Sequence, residues 1–145
     1  RRIAFMLKGA VRAYYRSEDG VEHTISFSFE NSPMAEIENF SRQAPSSVEV
    51  ITLEPTELIW IGYAEFFSFL EAHPKYESVL RSMMSHFLQL DTEQWRLLRI
   101  NSARERYETL CKTRPDIIQR VPLKYIASYL EIAVETLSRV RAGKL

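Results

Sequence analysis

The sequence predicts an α+β protein with an N-terminal antiparallel β-barrel or jelly-roll, a long helix and a C-terminal helix-turn-helix. Three patterns indicate this order: strand-like alternation as far as Ile61, a 3.5-residue apolar period from Tyr76 to Leu97, and two short amphipathic segments within residues 123–142. The domains expected from these patterns are residues 1–72, 73–101 and 102–145.

The first part of the chain reads as short strands separated by turns. Residues 10–15 and 21–29 flank Ser17-Glu18-Asp19-Gly20, where Gly20 is free to take a positive φ, so the two runs predict a hairpin. Alternation in the second run puts one set of side chains on the core face and another on the opposite face: Ile25, Phe27 and Phe29 against Thr24, Ser26 and Ser28. Two further runs, 47–53 and 57–61, are separated by Pro55, which interrupts pairing. Several short antiparallel strands favour a small barrel or jelly-roll.

A helical pattern follows Gly62. Residues 64–72 predict a short helix that ends at His73-Pro74. Beyond it, apolar residues recur at alternating spacings of four and three, which is typical of a coiled-coil seam between two subunits. The predicted dimer seam comprises Tyr76, Leu80, Met83, Phe87, Leu90, Gln94 and Leu97. A second stripe is expected to pack on the chain's own domain: Val79, Met84, Leu88, Trp95 and Leu98. A helix packed entirely on its own core is the alternative.

The C-terminal third reads as a bundle of short helices. Ser102-Ala103-Arg104-Glu105 has the form of a capping box, so a helix begins near Ala103 and runs to Lys112, and residues 99–102 form a hinge. Pro122 suits the first turn of a later helix. Within 123–142, five apolar residues are spaced to bury two helices against each other: Ile126, Leu130, Ile132, Leu137 and Val140. The second helix presents Glu135, Thr136, Ser138, Arg139 and Arg141 outward. These donors and acceptors suit base edges and phosphates, as does Lys124.

Charge and composition exclude several functional classes. The net charge is zero, but residues 1–98 carry 9 basic and 14 acidic side chains, whereas residues 99–145 carry 10 and 5, so the basic part is expected to meet a polyanion. No stretch is apolar enough for a membrane span or a secretion signal. The single Cys111 cannot form an internal disulfide, and we expect a cytoplasmic protein. The chain begins without Met in a strand-like run, so further N-terminal sequence is expected.

Metal and catalytic sites are not expected. His23, His73 and His86 fall on a strand, a turn and the long helix, too scattered for a barrel metal site. Cys111 lies near a helix end with no His close in sequence, so a Cys–His nucleophile is disfavoured. We predict that the protein is not an enzyme and that it binds neither a metal ion nor a cofactor.

At this point the chain resembles the Crp/Fnr family of bacterial transcription regulators. The resemblance covers nearly the whole chain and is strongest from Arg106-Tyr107 to Arg141, including Arg114-Pro115-Asp116 to Val121-Pro122, Tyr125-Ile126-Ala127-Ser128-Tyr129-Leu130 and Glu135-Thr136-Leu137-Ser138-Arg139. It looks like a wingless branch, because Gly143-Lys144-Leu145 leaves no room for a β-wing.

The resemblance implies a cyclic-nucleotide-binding-type barrel that senses an effector, a dimerisation helix and a DNA-binding module. Glu135 and Arg139 match the acidic and basic residues with which the family's recognition helix reads bases. The implied partners are double-stranded DNA with a palindromic operator, a second copy of the chain, RNA polymerase and an unidentified small-molecule effector. Three departures from the family pattern are Val134 at a position where some relatives carry Arg, Glu131 where the turn has Gly, and Ala133 in place of a Ser/Thr cap.

The effector pocket departs furthest from the cyclic AMP-binding pattern. Glu36 matches the family's ribose-binding Glu, but Ser46, followed by Ser47, falls on the phosphate-binding Arg. A buried cyclic phosphate needs a cation, so another residue such as Arg42 would have to reach it. We therefore predict no tight binding of cyclic AMP. The alternative function is a ligand- or partner-binding module whose C-terminal helices serve protein assembly.

Overall fold

A computed structural model of the chain describes residues 2–34 and 46–144. Its strands are β1 (Arg2–Lys8), β2 (Val11–Arg16), β3 (Glu22–Ser28), β4 (Pro33–Met34), β5 (Glu49–Thr52) and β6 (Glu57–Gly62). Its α-helices are α1 (Tyr63–Ala72), α2 (Glu77–Leu98), α3 (Ala103–Thr113), α4 (Pro115–Arg120), α5 (Leu123–Tyr129) and α6 (Val134–Arg141), with a 3₁₀ turn at Pro74–Tyr76.

The strands form two antiparallel three-stranded sheets. The strand orders are β4-β1-β6 and β3-β2-β5. Each sheet has two edge strands in the part of the chain that the structure describes, so of the predicted barrel or jelly-roll the closed-barrel form is not present there. The antiparallel pairing itself agrees with the prediction.

The β2–β3 hairpin is confirmed, but the predicted alternation along β3 is wrong at Thr24. Gly20 has φ +83, and its N–H donates to the carbonyl of Ser17 at 2.9 Å. The register then shifts between Ala13 and Tyr14, because Ser26 pairs with Ala13 whereas Thr24 pairs with Tyr14. This bulge places one extra residue, Ile25, on β3 and reverses the faces beyond it. Thr24 is therefore buried.

Local signals in the sequence set most helix boundaries. The short helix ends before Pro74, and the long helix ends at Leu98, where the hinge is predicted. Ser102 caps α3, its hydroxyl accepting from the Glu105 N–H at 3.4 Å. Helix α4 is not among the predicted elements. Pro115 occupies its first turn, where a proline needs no N–H.

One apolar core joins the sheets to the C-terminal helices. Phe27 of β3 lies 5.4 Å, centroid to centroid, from Tyr129 of α5. The same core contains Ala10 and Phe29 from the strand region with buried residues of the helices, namely Leu97, Leu110, Ile117, Val121, Ile126, Ala127, Leu130 and Leu137. The sheet β3-β2-β5 is thus the platform on which the C-terminal helices sit.

The long helix does not present its two apolar stripes as expected. Leu97, assigned to the dimer seam, is buried in the chain's own core, and Leu90 lines a pocket against α3. By contrast Val79, Leu88 and Trp95, expected to pack on the chain's own domain, are 56%, 67% and 58% exposed. Both assignments are corrected at these positions, because α3 and α5 fold back onto the face that carries Leu90 and Leu97. Within residues 2–34 and 46–144, no helix combines the length and apolarity needed to cross a bilayer.

Candidate nucleic-acid interface

Helices α5 and α6 form a pair held together by apolar side chains. Leu130 and Leu137 have no exposed surface, and Ile126 and Val140 are also buried. Leu137 and Val140 therefore face inward as predicted. The small Ala127, 1% exposed, lets the helices approach closely. This burial fixes which face of α6 is left outside.

The turn between the two helices is closed by backbone hydrogen bonds. The Ile132 N–H donates to the Ala127 carbonyl at 3.0 Å, and the Glu131 N–H donates to the Ser128 carbonyl at 3.2 Å. These two bonds are those of a Schellman cap, which requires a left-handed residue between them. Glu131 fills that position with φ 51, so a non-glycine residue carries the strain. Ala133 begins α6 without a side-chain cap.

The outer face of α6 carries polar and charged groups. Glu135, Ser138, Arg139 and Arg141 are exposed, and Thr136 is half-buried. Among the described residues, neither the Glu135 side chain nor the Arg139 side chain has a hydrogen-bond or ion-pair partner. Because they are one helical turn apart and free, both side chains are available to a ligand on the same face.

Two predicted contact residues have neighbours inside the chain. Lys124 is exposed on α5, with its Nζ 4.6 Å from the centre of the Tyr125 ring. Arg141 lies close enough to Tyr107 on α3 to affect its pKa. Burial raises the pKa of Tyr107, as does the neighbouring Cys111 side chain, whereas Arg141 acts in the opposite direction.

Arg106 ties the hinge to the helix pair. Its Nε donates to the Ile100 carbonyl at 2.6 Å, and its Nη1 donates to the Leu130 carbonyl at 2.8 Å. The first carbonyl lies in the linker after α2 and the second at the end of α5. One guanidinium group therefore connects the long helix to the turn that positions α6.

Ser128 joins α5 to the edge of the sheet. Its hydroxyl accepts from the Thr24 N–H at 2.9 Å and donates to the Glu22 carbonyl at 3.1 Å. Beneath this contact, Arg12 is 1% exposed and donates to the Thr24 hydroxyl at 2.9 Å and to the Glu22 carboxylate at 2.6 Å. Its guanidinium also lies 4.1 Å from the Tyr125 ring centre. The buried charge is thus paired with the Glu22 carboxylate at the junction.

Arg120 forms a second junction on the other side of the platform. It donates to both carboxylate oxygens of Glu30, at 2.7 and 2.8 Å, and also to Glu54. Glu30 in addition accepts from the Gly9 N–H at 2.9 Å. Hydrogen bonds from Arg120, and after them hydrogen bonds from the backbone, together lower the pKa of Glu30 to about 2. Glu30 and Glu54 in turn raise the pKa of Arg120.

Sequence reasoning missed the residues of both junctions. Ser128 belongs to a motif that resembles the family, but the sequence indicates no role for its hydroxyl. It also indicates none for Arg12 or Arg120. The one local signal was an arginine inside the apolar strand run 10–15, since a charged side chain there needs a buried partner.

The described part of the chain does not form a pocket from the predicted effector residues. Glu36 and Arg42 lie outside the described residues. Ser46 and Ser47 are exposed ahead of β5, where the Ser46 hydroxyl bonds the backbone of Val48.

The histidines are far apart in the fold. His23 stacks on Tyr15, His73 lies 4.8 Å from the Phe69 ring centre, and His86 lies on α2. Across residues 2–34 and 46–144, no group of three or more His, Cys, Asp and Glu side chains is placed to hold a metal ion.

The rest of the predicted dimer seam is partly covered. Tyr76 is 39% exposed, and the intermediate members are half-buried: Leu80, Met83, Phe87 and Leu90. Gln94 lines a crevice that also contains His23 and Thr24 of β3. The C-terminal part of the seam therefore faces the chain itself.

Comparisons with known proteins agree with this architecture. The model of the family described as "Cyclic nucleotide-binding domain" matches residues 1–73. FixK2 from Bradyrhizobium japonicum has a TM-score of 0.77 at 18% identity, over 98% of this chain and 73% of its own. The c-di-GMP-responsive global regulator CLP from Xanthomonas campestris has a TM-score of 0.75 at 17% identity, over 98% and 76%.

A third solved structure, from Eubacterium rectale and assigned to the Crp/Fnr family of transcriptional regulators, has a TM-score of 0.73 at 16% identity, over 97% of this chain and 68% of its own. No curated protein matches the chain in sequence. The likeness to these structures extends from the strand region through the C-terminal helices.

Proposed function

Because the chain belongs to the cyclic nucleotide-binding domain family and shares its fold with regulators of the Crp/Fnr type, we propose that it is a sequence-specific DNA-binding transcription regulator acting as a homodimer. In this proposal α5 and α6 are a helix-turn-helix, and α6 enters the major groove. The strand region senses an effector that remains to be identified, and the protein is not an enzyme.

The observation that carries the proposal is the free outer face of α6. Leu137 and Val140 anchor one side of the helix, which leaves Glu135 and Arg139 exposed and unpaired among the described residues. An arginine donates two hydrogen bonds to guanine, and a glutamate accepts from cytosine, each discriminating by about 1–3 kcal/mol. The excess of basic residues after Leu98 supplies attraction to phosphates.

Dimer formation is proposed through the exposed stripe of α2. Leu88 and Trp95 are seven positions apart, nearly two turns, so they lie on the same face, and both are more than half exposed. A single recognition helix reads only a few base pairs, whereas two related by a twofold axis read a palindromic operator. RNA polymerase is a further proposed partner.

The two junctions offer a route from sensor to DNA. A signal that moves β3 or Glu30 acts directly on α5 through Ser128 and on α4 through Arg120. Since the hinge is also held by Arg106, a shift at either junction changes where α6 is presented.

The test is selection of binding sites from a randomised duplex pool, followed by fluorescence anisotropy. We expect a palindromic site to be enriched, and Arg139→Ala to weaken binding to it about 5- to 150-fold with relaxed base preference at one position per half-site. Lys124→Ala should weaken binding to all sequences alike and reduce the salt slope by about 0.9.

The control is Lys8→Ala, which removes one exposed positive charge from β1 and leaves α2 and α6 unchanged. It should leave affinity unchanged. If no duplex is enriched at any salt concentration, with or without a cell extract added, the DNA-binding proposal fails. The alternative, a ligand- or partner-binding module whose C-terminal helices serve protein assembly, then replaces it.

A further inference from the structure

A pocket of about 430 Å³ lies between the long helix and the C-terminal unit. Its walls come from the end of α2, the linker residue Ile100, helix α3 and Tyr129 of α5. The volume is in the range of small-molecule sites in proteins. The pocket is separate from the strand region in which the proposed sensor would hold its effector.

One side of the pocket is apolar. Leu90 and Leu97 line it from α2, Ile100 from the linker and Leu110 from α3. Leu97 and Leu110 are 6% and 1% exposed, so this wall is part of the packed core and has a fixed shape. A hydrocarbon chain or aromatic ring placed there would bury apolar surface without burying a polar group of the wall.

Tyr129 also lines the pocket. The residue is 7% exposed, its ring is fixed against Phe27, and its hydroxyl has no hydrogen-bond partner among the described residues. Burial raises the pKa of Tyr129, so the hydroxyl stays protonated and remains a donor. The hydroxyl can therefore donate to a ligand that enters the pocket.

The charged groups at the pocket favour an anionic head group. Arg96 and Arg114 both line it. Arg114 binds Asp116 at 2.8 Å, but a guanidinium has five N–H donors and keeps some for another acceptor. Glu93 also lines the pocket, yet its carboxylate already accepts from Gln89 at 2.8 Å. Two guanidinium groups and one carboxylate therefore line the pocket, and this balance of charge favours an anionic group over a cationic one.

We propose that this pocket binds a small amphipathic carboxylate, aliphatic or aromatic. The carboxylate accepts from the Tyr129 hydroxyl and from Arg96 or Arg114, and the apolar body packs on Leu97 and Leu110. The ligand would touch α2, the linker, α3 and α5 at once. Its occupancy therefore restricts the angle between the long helix and the C-terminal unit, and this last consequence rests on the proposed function.

The experiment uses octanoate as the probe and octanol as its uncharged counterpart. Binding to the whole chain is followed by methyl chemical shifts of Leu97, Leu110 and Ile100. We expect octanoate to shift these methyl signals saturably and to bind at least about tenfold more tightly than octanol. Tyr129→Phe, which keeps the ring, should weaken octanoate about three- to tenfold.

Arg96→Gln provides a second variant at an exposed position, so loss of folding does not obscure the result. It should weaken octanoate and leave octanol unchanged. Arg99→Gln is its matched control, because Arg99 lies over Trp95 outside the pocket. Equal binding of octanoate and octanol, or shifts confined to the strand region, would overturn the site.

The consequence for DNA is measured separately. Saturating octanoate should change operator affinity of the native chain at least about threefold and leave that of Tyr129→Phe less affected. Because binding is read without DNA, an absent shift overturns the pocket and leaves the DNA-binding proposal standing. Saturable binding with unchanged operator affinity overturns only the regulatory consequence.

Discussion

Arg120 and Glu30 form a two-bonded ion pair, Nη1 to Oε2 at 2.7 Å and Nη2 to Oε1 at 2.8 Å, between residues 90 positions apart in sequence. Glu30 Oε1 also accepts from the Gly9 N–H, at the turn between β1 and β2. The pair therefore couples three segments: the strand region before the hairpin, the strand region after it, and α4 of the C-terminal unit.

The ion pair predicts a pH dependence of stability. The pKa of Glu30 falls from 4.5 to about 2 in the folded chain, so the native state favours the carboxylate. The stabilisation is complete above the unfolded value of 4.5 and is lost as pH falls from there toward 2. Glu30→Gln should lower the free energy of unfolding near neutral pH, and this difference from the native chain should shrink on acidification, as measured by urea unfolding at successive pH values.

Glu57→Gln is the control for this experiment. Glu57 is exposed on β6 and is not one of the carboxylates that bind Arg120, which are Glu30 and Glu54. The free energy of unfolding of Glu57→Gln should differ little from that of the native chain, and this difference should not depend on pH. A Glu30→Gln difference that is equally large at pH 7 and pH 3 would show that the ion pair does not set the stability.

Ser128→Ala should weaken the docking of α5 on the sheet. The substitution removes the acceptor for the Thr24 N–H and the donor to the Glu22 carbonyl, and Thr24 is buried. A buried group left without a partner costs about 1–3 kcal/mol. Urea unfolding should show a loss of this size, and hydrogen exchange at the Thr24 amide should accelerate. Ser82→Ala, at an exposed position of α2, should stay within about 0.5 kcal/mol of the native chain.

Glu131→Gly should stabilise the C-terminal unit. Glu131 has φ 51, and the left-handed conformation costs a residue with a Cβ atom about 1 kcal/mol relative to glycine. Thermal or urea unfolding should therefore show a gain of about this size, with operator affinity unchanged. The matched variant Glu131→Ala keeps the Cβ atom and should gain little. Equal gains in both variants would assign the effect to the carboxylate instead of the backbone.

Leu88→Asp should convert the proposed dimer to a monomer. Leu88 is 67% exposed, so a carboxylate there leaves the fold intact but cannot be buried in an apolar interface. Sedimentation velocity should show the loss of the dimer, and circular dichroism should be unchanged. Val79→Asp is the control: Val79 is also exposed but lies nine positions away, about 180° around the helix. Loss of the dimer in both variants would place the interface elsewhere.

The local structure follows closely from the sequence. Gly20 predicts the hairpin turn, Ser102 predicts the start of α3, and the burial of Leu137 and Val140 follows from their spacing. These features depend on groups within a few residues of one another. The pattern of charges and side chains that led to the DNA-binding proposal was likewise visible without coordinates.

Features that depend on distant residues could not be predicted in this way. The alternation along β3 did not reveal that a bulge opposite Ala13 and Tyr14 buries Thr24. The period of α2 identified two apolar stripes but not which one faces the chain, because Leu97 is covered by helices that come later in the sequence.

The sequence by itself determined that strands precede helices, that Ser102 caps a helix and which face of α6 is apolar, since each is fixed by backbone preferences and short-range periodicity. Only the tertiary structure decided that Arg12, Arg120 and Ser128 hold the C-terminal helices on the sheet. The physical reason is that a hydrogen bond across about 100 residues depends on how the chain folds back, and no local pattern encodes the partner.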